Sequence, residues 1–323
     1  MKSSDIQQIN QLTEDKEKFF ILIDYLGEAV EIYTTKDLKQ NKIQFNFKEA
    51  ASDSDTNPEI KTTKALSMDQ YKSAFRHVKQ ELQYGNSYLV NLTFAVPIES
   101  KQSLEEIYKS AHAKYKVHLP NNFSCFSPET FIKITDNKIS TYPMKGTAKE
   151  GSETDLNTII KDQKEIAEHA TVVDLLRNDL STVANDVTVQ NYRYTEQIKS
   201  ADGSLHFQNS SEISGTIKAD FQNKLGNILA NLLPAGSVTG APKAKTIQII
   251  QAAENYNRGF YTGIAGYFDG ENFDSCVLIR YIEKTPSGLV FKSGGGITAA
   301  STMEKEYQEL LDKIYVPVDA TVS

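Results

Sequence analysis

The chain has 323 residues with a formal net charge of −7 and a pI near 5.4, a balance that argues against nucleic acid or any other polyanion as partner. Its two cysteines, Cys125 and Cys276, exclude a disulfide scaffold and a cysteine-rich zinc site, and they fit a reducing cytoplasm. No apolar run reaches the roughly 20 residues of a membrane span, and the polar start Met1–Asn10 does not read as a secretion signal.

Phe19 to Asp24 and Ala29 to Thr34 read as strands across a Gly27-Glu28 turn. Ala51 to Lys64, rich in Ser, Asp, Thr and Asn, reads as a surface loop. A helix over Asp69–Gln83, a strand over Ser87–Pro97 and a helix over Leu104–Tyr115 follow. Phe131–Ile134 and Lys138–Tyr142 flank the turn pair Asp136-Asn137 and deliver the chain to Lys145. Beyond Gly151 the pattern predicts a helix over Thr154–Leu176, a strand over Val187–Tyr194, and helices over Phe221–Leu232 and Pro242–Tyr256. Tyr261–Phe268 and Ser275–Glu283 form a hairpin across Asp269-Gly270. Leu289–Lys292 ends at three glycines, and Ser301 with Glu304 reads as a capping box opening a helix to Tyr315. Hairpins outnumber strand-helix-strand units, so the expected class is antiparallel α+β in one large domain, with residues 1–65 packed as part of it and 66–323 as its catalytic portion.

Lys145 lies in Tyr142-Pro143-Met144-Lys145-Gly146-Thr147, where proline and glycine set the backbone on either side. Such a lysine is either an aimed amine or a solvated turn residue. Glu165 with Glu168, and Glu306 with Glu309, stand three apart on two predicted helices, the spacing of one helical face. They suit either a divalent cation or solvent, and Glu309 with Lys313 has the helix-stabilising i, i+4 order worth about 0.3 kcal/mol. Arg280, in Cys276-Val277-Leu278-Ile279-Arg280-Tyr281-Ile282, reads as a strand residue between two apolar faces, where a guanidinium needs a carboxylate from the protein or from a ligand. The segment Pro234–Lys243 (PAGSVTGAPK) and Gly294-Gly295-Gly296 each precede a helix and offer bare amides to small carboxylates, without a nucleotide-binding pattern.

Taken together, PMKGT, EHATVVDLLRNDL, PAGSVTGAPK, the Tyr261–Arg280 segment and FKSGGGI with EKEYQELLDK resemble the chorismate-binding enzymes from Ser87 to the carboxyl terminus. That resemblance implies an antiparallel β-sandwich wrapped by helices, with a shortened amino-terminal part. It also implies Mg²⁺ held by Glu168 and Glu309 and supported through water by Glu165 and Glu306. Tyr261, Arg280 and Lys313 would bind carboxylates, assisted by amides near Gly295 and Gly296, and Thr239 would contact the ring. Glu129, in Ser127-Pro128-Glu129-Thr130-Phe131, matches the general acid. Lysine at 145 is similar to the branch that makes 4-amino-4-deoxychorismate through a covalent lysine adduct, with ammonia from a separate glutamine amidotransferase; anthranilate formation and a catalytically silent chorismate-binding subunit are the competing readings. Two departures from the family pattern are Leu89, where a base lysine or a glutamine is usual, and Gln208, where many members have histidine. The shortened amino-terminal part leaves a tryptophan-binding pocket unsupported.

Overall fold

The computed structural model describes residues 1–48, 58–64, 66–149, 163–199 and 205–318, with backbone alone for 145–149, 163–165, 197–199 and 205–207. In chain order the elements are α1 (Ser3–Glu14), β1 (Phe19–Ile23), β2 (Val30–Thr34), α2 (Thr35–Gln40), β3 (Gln44–Asn46), β4 (Lys61–Thr62), α3 (Met68–Gln83), β5 (Leu89–Glu99), α4 (Leu104–Ser110), β6 (Tyr115–Leu119), β7 (Phe123–Ser127), β8 (Thr130–Thr135), β9 (Lys138–Thr141) and β10 (Met144–Lys149). There follow α5 (Gln163–Val183), β11 (Ala184–Lys199), β12 (Leu205–Ile217), α6 (Leu225–Leu232), β13 (Gly240–Ala241), α7 (Lys243–Ala253), β14 (Ile264–Phe268), β15 (Phe273–Val277), β16 (Tyr281–Thr285), β17 (Gly288–Ile297) and α8 (Met303–Asp312).

Among the described residues these strands form two antiparallel sheets. One has nine strands in the order β10-β12-β9-β8-β15-β14-β1-β2, with β11 on the other side of β12; the second has eight, in the order β13-β5-β17-β16-β7-β6-β3, with β4 beside β5. The sheets face each other through Phe20, Leu22, Ala265 and Cys276 from the first and Tyr115, Val117, Phe123, Cys125 and Tyr281 from the second. On β1 the unbroken run FFILI follows from burial of both faces: Phe20 and Leu22 enter this inner core, while Phe19, Ile21 and Ile23 turn to the layer under α1, α5 and α6. Helices α3, α7 and α8 cover the outer face of the second sheet through Phe75, Val78, Ile249, Ile250 and Leu310, which pack on Val90, Leu92 and Val96. No helix among the described residues is long and apolar enough to cross a membrane.

Several expected elements move. Helix α4 stops at Ser110 instead of Tyr115, because Tyr115, Val117 and Leu119 are needed in the inner core; Lys116 and His118, on the opposite side of that strand, are satisfied by Ala111 O and the Ser124 hydroxyl. Helix α5 runs to Val183, since Leu176, Leu180 and Val183 continue one apolar stripe; the expected start at Thr154 lies outside the described residues. Residues 51–57 of the expected loop also lie outside them, while Lys61–Thr62 pairs with Ile98–Glu99. The triple glycine does not end a strand: β17 runs through it, pairing Gly294, Gly295 and Gly296 with Thr93, Leu92 and Asn91. Ser301 is not the cap of α8, whose N-cap Thr302 makes no side-chain bond; the Ser301 hydroxyl instead accepts from Thr298 N. Helix α1, in the stretch read only as polar, packs on α6, where Gly226 is required because a Cβ would lie 2.4 Å from Ile6 O.

Candidate active site

The PAGSVTGAPK loop leaves α6, makes a 3₁₀ turn over Gly236–Val238 and rejoins the second sheet as β13. Both inner glycines are dictated by close approach. A Cβ on Gly236 would lie 2.7 Å from Asp179 Oδ2, and one on Gly240, at φ +129°, would overlap Leu89 O. Asp179, late on α5, pairs with Lys243 at the start of α7 at 2.8 Å, and Lys243 also donates to Leu232 O. Burial raises the Asp179 pKa, against the pull of the Lys243 charge. Two motifs are thereby locked together through residues 64 positions apart in sequence.

On this loop Ser237 Oγ donates to Glu129 Oε1 at 2.5 Å. The Glu129 backbone is fixed as well: its N–H donates to Ser127 Oγ and its carbonyl accepts from Val277 N. Thr239 is fully buried, and its hydroxyl donates to Ala235 O while its carbonyl accepts from Asn91 N. Behind the loop lies a network that residue spacing did not reveal. Arg258, 3% exposed, donates to both oxygens of Glu254, to Val238 O, to Asn91 O and to Thr262 Oγ1, and stacks over Tyr25. Glu254 in turn accepts from Thr93 N and Oγ1. One buried ion pair thus ties the loop at Val238, β5 at Asn91 and Thr93, and the turn carrying Tyr261.

Arg280 is not a strand residue. The chain leaves the first sheet after Val277 and enters the second at Tyr281, and Arg280 sits in the crossing at φ +54°, its carbonyl accepting from Phe126 N. Its guanidinium lies over the Tyr315 ring at 5.0 Å, and among the described residues no carboxylate pairs with it. Of the two expected partners, a protein carboxylate is not found among the described residues. Tyr261 is buried close by, and burial raises its pKa against the pull of Arg258 and Arg280.

On the outer side of the second sheet, Lys313 donates to Glu309 at 2.6 Å and to Gly294 O at 3.2 Å, so the end of α8 is tied to the glycine run. A Cβ on Gly295 would stand 3.5 Å from Glu309 Oε1 and 3.6 Å from Lys313 Nζ; glycine keeps that space clear. Glu306, 4% exposed, and Glu309 both add to the rise in the Tyr71 pKa, after burial. On α5 Glu168 is half-buried, and its neighbour His169 is fully buried with Nε2 2.7 Å from Ser211 Oγ. Ser211 N donates to Pro143 O, and β10 pairs Lys145 with Asn209, followed by a bulge before Thr147. Lys145's strand, β12 and the Glu168 end of α5 are so connected. The side chains of Lys145 and Glu165 lie outside the described residues. Among the described residues no three acidic, histidine or cysteine side chains gather closely enough to hold a metal ion. Glu309 presents carboxylate oxygen, the donor type Mg²⁺ takes, beside the space that Gly295 leaves open.

A family model described as chorismate binding enzyme matches residues 11–319. The chain belongs to the chorismate binding enzyme family. An uncharacterized PabA-like protein of Haemophilus influenzae is 44% identical to this family member over 97% of its length and 96% of the relative's. Aminodeoxychorismate synthase component 1 of Bacillus subtilis is 29% identical over 76% of this chain and 54% of that protein. Among solved structures, anthranilate synthase component I of Streptococcus pneumoniae aligns at TM-score 0.67 with 20% identity, covering 95% of this chain and 77% of that one. The menaquinone-specific isochorismate synthase of Escherichia coli aligns at 0.71 with 17% identity, covering 95% and 79%. These structures carry the same fold. In this chorismate-binding enzyme Leu89 is 3% exposed and packs in the apolar layer with Val238 and Ala235. Gln208 pairs with Thr147 and Glu196, and among the described residues its buried Oε1 has no hydrogen-bond partner.

Proposed function

We propose that this chorismate-binding enzyme is the component of an aminodeoxychorismate synthase that consumes chorismate, converting it with ammonia to 4-amino-4-deoxychorismate. The ammonia would come from a separate glutamine amidotransferase, a partner compatible with the relatives' names. The observation that carries the reading is lysine at 145 on β10, beside the β12 strand that is bonded to the residue after Glu168. The neutral amine of Lys145 adds at C2 of chorismate as the C4–O bond breaks, and Glu129 supplies the proton that leaves with the hydroxyl as water. Ammonia then bonds to C4 and the C2–N bond to lysine breaks, so the pyruvyl group stays in place. Ser237 aims the Glu129 carboxyl, Arg280 and Tyr261 take one substrate carboxylate, and Lys313 with the amides near Gly295 and Gly296 takes the other. Glu168 and Glu309, supported by Glu165 and Glu306, would hold Mg²⁺, which would supply charge neutralisation at the ring carboxylate. Leu89, being apolar, offers no base to activate water, which disfavours hydroxylation of the ring.

The test is incubation with chorismate, Mg²⁺ and ammonium, analysed by mass spectrometry with and without aminodeoxychorismate lyase. Para-aminobenzoate formed only when the lyase is present supports the reading, and its loss in Lys145→Ala with chorismate binding retained supports the adduct. Anthranilate formed without the lyase would replace this reading with that of anthranilate synthase component I. Unchanged chorismate with the amidotransferase supplied would leave a silent subunit.

A further inference from the structure

Helix α8 carries Glu306 and Glu309, yet no side chain caps its first turn. What holds its start comes from another helix. Lys79, near the end of α3, directs its ammonium at the connection between β17 and α8 and donates to Ala299 O at 2.5 Å, Ser301 O at 3.0 Å and Thr298 O at 3.4 Å. Three carbonyls match the three N–H donors of an ammonium. Among the described residues no carboxylate pairs with Lys79, so its contacts are with main chain alone. A cation ahead of a helix amino terminus is unfavourable towards the helix dipole, so the dipole does not account for this placement. The same two helices also meet one face away, where the Tyr71 and Tyr307 rings lie 5.2 Å apart and Tyr307 donates to Leu66 O.

We propose that Lys79 is a positioning residue of the active site, fixing the backbone of Thr298–Ser301 and thereby the placement of Glu306 and Glu309 at the end of the glycine strand. The connection is short: Gly296 lies two residues before Thr298, and Glu306 lies one turn inside the helix that follows. Without the tether, aromatic packing at Tyr307 and the bonds of Lys313 to Gly294 O and of Ser293 to Leu310 O still hold the middle and end of α8, but its first turn, with Glu306, loses its fixed register to β17, and Glu309 loses the support of that turn. The proposal rests on the reading of Glu309 as a Mg²⁺ ligand.

Lys79→Met keeps the stem and removes the donors; Lys79→Arg keeps the charge, and with it part of the tether. Amide hydrogen exchange without metal should be about tenfold faster in Lys79→Met over residues 298–306 and unchanged in β5 and β17. The Mg²⁺ concentration for half-maximal turnover should rise about tenfold, as when the support of a metal ligand is removed, with turnover at saturating Mg²⁺ within about twofold of the parent. Lys79→Arg should fall between the two. Faster exchange with an unchanged Mg²⁺ response would overturn the positioning role, and unchanged exchange would overturn the tether itself. A parent enzyme indifferent to Mg²⁺ would refute the ligand reading, and the positioning role with it, while the exchange data alone would decide whether the tether exists. If Lys79→Met does not fold, Lys79→Gln carries the same comparison.

Discussion

Replacing Glu254 with glutamine puts the buried network behind the loop to a quantitative test. The substitution keeps shape and removes one charge, leaving the Arg258 guanidinium at 3% exposure without its counter-ion. Breaking a buried ion pair from one side costs about 3–5 kcal/mol. The low end applies here, because Arg258 keeps the carbonyls of Val238 and Asn91 as acceptors. With about 2.1 cal/mol/K of unfolding entropy per residue, 323 residues give roughly 0.7 kcal/mol per degree, so a loss of about 3 kcal/mol lowers Tm by about 4 °C. The assay is urea denaturation of the parent, Glu254→Gln, Arg258→Met and the double variant. Removing both charges should cost less than the sum of the single changes by at least about 1 kcal/mol, since the double variant buries no orphan charge. A single-variant loss below about 1 kcal/mol, or strict additivity, would refute the claim that this pair is what ties loop, strand and turn together.

Three further outcomes are expected. Gly295→Ala should fold within about 1 kcal/mol of the parent, since its Cβ meets ordinary contact distances, but should raise the chorismate KM about tenfold by filling the space beside Glu309 and Lys313; Gly294→Ala, whose Cβ would lie 2.4 Å from Leu92 O, should lose stability instead, and equal behaviour of the two in thermal melts and kinetics would contradict the geometry. Ser237→Ala should lower turnover about tenfold with KM little changed, while Ser237→Thr keeps most of it; unaltered turnover would remove Ser237 from the support of Glu129. Burial lowers the pKa of His118 below 6.5, against the opposing pull of Glu105, so the folded state favours neutral imidazole. Its contribution is complete above 6.5 and is lost as pH falls through the lowered value; His118→Gln should flatten that part of the urea midpoint against pH between 7 and 5.

Hairpins were legible where turn residues announced them. Asp136-Asn137, both at positive φ, and the Asp269-Gly270 turn stand where the sequence places them, because few residues tolerate such backbone. The period-two pattern failed at Arg280 for a definite reason: a strand passing from one sheet into another stays apolar on both sides through the crossing, so no break in pattern marks it. Gly294-Gly295-Gly296 looked like a strand end because glycine usually weakens strands, whereas here close approach to Leu92 O and to the acidic face of α8 demands it. Of the candidate site, Glu129, Thr239, Lys313 and the glycines stand in motifs that the sequence displays, whereas nothing in the sequence sets Ser237 apart and only its contact with Glu129 does. Glu254 and Arg258 stand four apart in plain view, but that spacing is common on solvated helices and only burial shows what the pair holds. Lys79 carries no local signal at all, since its three acceptors are main-chain atoms about 220 positions away.

The seat of β1 has a consequence for how the protein is made. Phe19–Ile23, buried on both faces, lies between β2 and β14, and its β14 partners are residues 264–268. During synthesis at about 5–20 residues per second, the strand therefore waits roughly 10–50 s after emerging before its second neighbour exists. Throughout that interval FFILI is an uncharged, aromatic and β-branched segment with one open edge, the composition that nucleates intermolecular pairing. Yield in a cell should thus depend on holdase chaperones bound to the nascent amino-terminal end more than on the stability of the finished fold.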